Sequence, residues 1–122
     1  MKPTLTRLLT IDSVGGLVAG VIVLVFSAWL SEVHALPRHL LLAIGVANLT
    51  YGSYSGLLAR KALRSDALLV ALILANATWA IVCFVAAVLL VESASPFGLV
   101  HLIGEGLVVG TLAGLEWRGR AQ

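Results

Sequence analysis

The chain has 122 residues, of which 60% are hydrophobic and 11% charged, with a formal net charge of +2 and a mean hydropathy of +1.04. A water-soluble domain of this size has too much surface to cover with so few charges, so lipid is the expected solvent. The positive charges are scattered over termini and loops and leave no nucleic-acid footprint, and a single cysteine, Cys83, excludes an internal disulfide. No Cys/His zinc spacing, Gly-rich phosphate loop or Gly-x-Ser-x-Gly elbow is present.

Charged residues cut the sequence into four apolar spans. Each reaches the about 20 residues that a helix needs to cross a ~30 Å hydrocarbon core. The first lies between Asp12 and Glu32. Lys2 and Arg7 ahead of it resemble the n-region of a signal peptide, and "VHA" (Val33, His34, Ala35) offers a small residue for cleavage. The apolar run is longer than a usual h-region and Asp12 stands just before it, so an uncleaved anchor is expected. Asp12, next to Ser13, reads as the N-terminal cap of this helix.

The second span follows "HALPRH" and runs from Leu40 to Ala59. "RKALRSD" separates it from the third, Ala67 to Val91, and "ESASPFG" leads to the fourth, Phe97 to Leu115, which only Glu105 interrupts. Such short links make neighbours antiparallel. Helices satisfy their backbone groups internally, as hydrocarbon demands. The expected fold is therefore all-α: a four-transmembrane-helix antiparallel bundle, one domain over residues 1–122, with helices at about 12–32, 39–59, 67–91 and 97–117.

Orientation is read from Lys and Arg. Lys2, Arg7, Arg60, Lys61, Arg64, Arg118 and Arg120 fall on one side and only Arg38 on the other. Both termini are then expected in the cytoplasm. Trp29 and Trp117 suit the two interfacial belts, and Glu116 beside Trp117 and Arg118 reads as an interfacial anchor. "GLLARKA" after Pro37 and "GLEWRGRA" after Pro96 form a faint echo of a duplicated hairpin. Two helices that begin and end by the same rules explain it more simply.

Polar residues inside the spans carry the functional reading, because such groups are costly in lipid and tend to face a bundle interior. Glu105 lies about 12 Å in from the outer end of the fourth helix and Asn48 about 13 Å along the second, so the two could meet. Tyr51 and Ser55 share the Asn48 face, His101 shares the Glu105 face, and Asn76 lies nearer the inner side. Glu105, His101, Asn48, Tyr51 and Asn76 are the candidate ligand-binding set. A carboxyl withdrawn from water resists ionisation, and His101 could share or donate a proton, so Glu105 could couple proton binding to ligand binding. In the plainer reading Glu105 fastens the fourth helix to the second through Asn48 or Tyr51. Two residues at i, i+4 make half a metal site, and neither metal nor haem is expected. Cys83, in the apolar part of the third helix, reads as packing.

Glycines form the other pattern. Gly16 and Gly20, Gly52 and Gly56, and Gly106, Gly110 and Gly114 are spaced by four. Missing side chains let helices approach closely, within the chain or in a homodimer through Gly106, Gly110 and Gly114. That face is turned about 100° from Glu105.

With these residues placed, the chain resembles a group of small bacterial four-helix integral membrane proteins. The likeness rests on "RLLTIDSVGG", "ALPRHLLLAIGVANLTYG", "ARKA", "LANATWAIV" and a Glu-bearing last helix ending "LEWRGR". The resemblance implies a multi-pass protein of the bacterial inner (cytoplasmic) membrane and brings no activity, cofactor or site residue with it. Small multidrug transporters share the length, span count and membrane glutamate, but their glutamate lies in the first helix. The residues support two functions. One is binding, and transport, of a small lipophilic or cationic ligand linked to protons through Glu105. The other is an accessory or assembly subunit working through its glycine faces. No nucleophile–base pair is visible, so an enzyme is not expected.

Overall fold

The computed structural model describes residues 3–60 and 64–120, so Lys2 and Lys61 of the orientation argument lie outside it. It is all-α: α1 (Pro3–Val25), α2 (Ser27–His34), α3 (Arg38–Ala59), α4 (Asp66–Leu89) and α5 (Pro96–Arg120). All but α2 are long and apolar enough to cross a membrane. α1 pairs mainly with α3, and α4 with α5, so the antiparallel four-span bundle is built as two hairpins laid together.

The first span departs from its expected bounds at both ends. α1 starts at Pro3, well ahead of Asp12, because Leu5 and Leu9 are fully buried one turn apart. They join Leu58, Leu69, Leu72, Ile73 and Ala113 in the cluster that closes one end of the bundle. Burial of this stripe holds the first turns helical although Arg7 is exposed among them. Asp12 is consequently not a cap but a buried side chain in mid-helix. At the other end the helix breaks at Phe26 (φ −102°, ψ 20°) and resumes as α2. α2 leans on α3 and α5 and ends in a left-handed residue, Ala35, with φ 53°. There the N–H of Leu36 donates to Ser31 O at 3.2 Å, a helix stop usually made by glycine. Leu36 then enters the second apolar cluster, with Val23, Leu41, Ile44, Ala87 and Leu102. The bundle is thus closed by apolar packing at both ends.

The hairpins are packed differently. In α1·α3 the backbones touch. A Cβ on Gly16 would stand 2.8 Å from Asn48 O, one on Gly20 2.9 Å from Gly45 O, and one on Gly52 2.9 Å from Leu17 N. Gly16 and Leu17 lie against Gly52, while Gly20, one turn later on α1, lies against Gly45, earlier on α3, which shows the antiparallel register directly. In α4·α5, Gly106 receives the Phe84 ring and Gly110 faces Ala80 Cβ at 3.5 Å. The neighbour gripped at two of the three residues assigned to a homodimer face is therefore α4 of the same chain. Gly114 has nothing within 4 Å. Outward, the spans present Val25 (69% exposed), Val88 (72%), Leu89 (76%) and Val100 (70%). Such a continuous apolar exterior matches hydrocarbon and not water.

Candidate functional site

Polar side chains collect where the two hairpins meet, in two layers. The first is centred on Glu105. Asn48 Nδ2 from α3 donates to its Oε1 at 3.3 Å, and Trp79 Nε1 from α4 donates to its Oε2 at 2.5 Å. His101 Nε2, one turn earlier on α5, lies 3.3 Å from Oε1. The Cys83 thiol approaches Oε2 at 3.9 Å. Tyr51 does not reach the carboxyl; its ring packs edge-on against Trp79 with centroids 6.4 Å apart. Glu105 is thus served by donors from three helices, with its oxygens directed inward.

A histidine of α2 extends this layer. His34 Nε2 stands 3.1 Å from His101 Nδ1, which makes a continuous chain His34–His101–Glu105. Several contacts hold His34 there. Ser95 N donates to its carbonyl at 2.9 Å. Ser95 Oγ donates to Val33 O at 2.7 Å and receives Gly98 N at 3.2 Å as the cap of α5. Gly98 lies so close to the His34 carbonyl that no side chain fits between them. The His34 imidazole is buried and its Nδ1 has no partner. Burial first, and then the neighbouring His101, hold it below its ordinary value of 6.5.

The second layer lies toward the termini. Asn76 Nδ2 donates to Asp12 Oδ2 at 3.1 Å and to Glu116 Oε1 at 3.2 Å. Asn76 is 1% exposed and Glu116 0%. Asn76 therefore bonds to this pair and not to the Glu105 group, and Glu116 is an interior residue, not an interfacial anchor. Helix side chains lean toward their own N-terminus, which carries the Glu116 carboxyl inward from the α5 end.

Both layers border one cavity of about 1070 Å³, walled by α1 and α5 and floored by α3 and α4. Glu105, His101, Asn48, Tyr51 and Asn76 all line it, together with His34 and Asp12. Its walls are otherwise mostly apolar, and it opens toward the lipid-facing exterior, since Ile11, Val100, Leu107 and Val108 on its lining are exposed. Gly15 and Gly104 leave the walls open, since a Cβ on either would meet nothing within 4 Å. Among the described residues no group of three or more His, Cys, Asp or Glu is arranged to hold a metal ion.

Sequence reasoning missed His34, Trp79, Asp12 and Glu116 as members of this interior. One signal was present. Glu116 follows Glu105 by eleven residues, just over three full turns at about 3.6 residues per turn, so the two share a helix face. Trp79 and Cys83 likewise continue the face of Asn76 at i+3 and i+7. Nothing local marks His34, which is brought in by the break at Phe26.

The apolar exterior, the four spans and the interior polar layers define the chain as a multi-pass membrane protein. Compared with protein-family models, with curated proteins and with solved structures, it matches none.

Proposed function

We propose that this protein binds a small lipophilic cation in the cavity between α1 and α5, that Glu105 exchanges a proton for it, and that the exchange serves transport across a bacterial inner membrane. The observation that carries the reading is the cavity itself: about 1070 Å³ with apolar walls and the Glu105 carboxyl on its lining. Apolar walls favour a lipophilic body, and the half-buried Glu105 carboxylate compensates a positive charge brought out of water. The aromatic ring of Tyr51 adds a face suited to a cation. Asn48, Trp79 and His101 present N–H groups that stabilise the ionised carboxylate once its proton has left.

His34 and His101 supply a route for that proton. With His101 Nε2–H donating to Glu105, His101 Nδ1 accepts from His34 Nε2–H. The partnerless His34 Nδ1 is then the acceptor for a proton arriving from the α2 side.

The probe is tetraphenylphosphonium, a lipophilic cation, added to purified protein in weakly buffered detergent. Binding is expected to release protons, and Glu105→Gln is expected to weaken binding by at least tenfold and abolish the release. If Glu105→Gln binds and transports the probe as the wild type does, Glu105 is not the coupling group. If the wild type binds without proton release, proton linkage is wrong.

A further inference from the structure

The second polar layer has a chemistry of its own, separate from the ligand reading. Asp12 of α1 and Glu116 of α5 place carboxyl oxygens on one nitrogen, Asn76 Nδ2 of α4, at 3.1 and 3.2 Å. Asp12 is 8% exposed and Glu116 fully buried. Glu116 Oε2 has no hydrogen-bond partner although its carboxyl already sits at the cluster through Oε1.

Among the described residues no cation offsets two negative charges there. Arg7 and Arg118 are exposed, Arg120 Nη1 is bonded to Asp66 at 3.1 Å, and Arg64 Nη2 donates to Thr6 at 3.2 Å. From α4 the facing group is the neutral Asn76 amide, and the next carboxyl on α5, Glu105, lies about 16 Å along the helix. Two like charges that meet in a low-dielectric interior cannot both persist, and a shared proton removes the conflict. That proton also satisfies the orphaned oxygen: placed on Glu116 Oε2, it turns an unpaired acceptor into a donor toward Asp12.

We propose that Asp12, Asn76 and Glu116 form a proton-binding site that holds one proton between the two carboxyls at neutral pH. The proton reaches it from the cavity, which Asp12 and Asn76 line. It forms an O–H bond on Glu116 as one O–H bond of the hydronium ion that delivers it breaks and leaves water, and no bond between heavy atoms is made or broken. If Glu105 exchanges a proton as proposed above, the cavity carries a protonation site in each half of the bundle, the other being the Asp12–Glu116 pair.

Infrared spectroscopy of the full chain in liposomes tests this, because a protonated carboxyl C=O band stands apart from carboxylate bands. The Glu105→Gln background removes the other interior carboxyl. In it, one protonated carboxyl per chain is expected at neutral pH, and it should vanish when Asp12→Asn and Glu116→Gln are added together. Each amide matches its protonated carboxyl in shape, so the combined variant should fold; ¹³C labelling of aspartate and glutamate side chains reads the same protonation with Asp12 and Glu116 intact. Absence of a protonated carboxyl in the Glu105→Gln protein, by either measurement, overturns the proposal. So does a band that survives the two added substitutions.

Discussion

At residue 34 a buried imidazole carries a pH dependence whose sign is fixed. Burial, and then His101 beside it, favour the neutral form of His34 in the folded protein and hold it below the 6.5 of the free side chain. Unfolding therefore takes up a proton once the pH is low enough to charge the released histidine. The stabilising effect is complete above 6.5 and is lost as the pH falls through the lowered folded-state value. Thermal midpoints measured in detergent should thus drop as the pH is lowered from 7.5 toward 5, on the scale of the ~6.5 reference. The drop should be smaller for His34→Asn. An equal drop in both proteins would place the effect elsewhere. The neighbouring Ala35, held at φ 53°, shows why the sequence did not reveal this residue. A stop made by alanine lacks the glycine signal that normally marks a helix end.

Within an element, position relative to a neighbour decides what a glycine does. Gly15 and Gly16 are adjacent on α1, yet one faces open space and the other has backbone atoms of α3 at 2.8 Å and 3.1 Å from where a Cβ would be. Gly16→Ala must push the hairpin apart and is expected to cost about 1–3 kcal/mol. Gly15→Ala clashes with nothing and gains up to ~1 kcal/mol of helix propensity. Denaturation of the two variants in parallel checks this, and equal stabilities would contradict the backbone contact between α1 and α3. The spacing of four was legible in the sequence. Which helix each glycine would meet was not, because a small residue records only that something comes close.

Across the whole molecule, the four spans place the Ser65 turn and the Ser93 turn at opposite ends of the bundle. Read with the excess of Lys and Arg near the Ser65 end, the Ser65 turn is expected in the cytoplasm. With Cys83 replaced by alanine, Ser93→Cys should be labelled by an impermeant thiol reagent from outside intact cells. Ser65→Cys should react only after lysis. Reversal of the pattern would invert the orientation. Most of this architecture was legible early. Hydrophobic runs between charges fixed four helices, since about 20 apolar residues have no better solvent than lipid. The polar residues inside those runs, Glu105, His101, Asn48, Tyr51 and Asn76, were visible as anomalies for the same reason. Composition therefore determined the solvent, the helices and the candidates for an interior site. Tertiary structure alone decided how those candidates group. It joined Glu105 to His101, Asn48 and Trp79, separated Asn76 into a pair with Asp12 and Glu116, and brought His34 across from α2. Hydropathy measures only how a residue suits its solvent. Partnership between side chains depends on helix rotation and on the angle between hairpins, and these are set by the backbone contacts of the glycines and the break at Phe26.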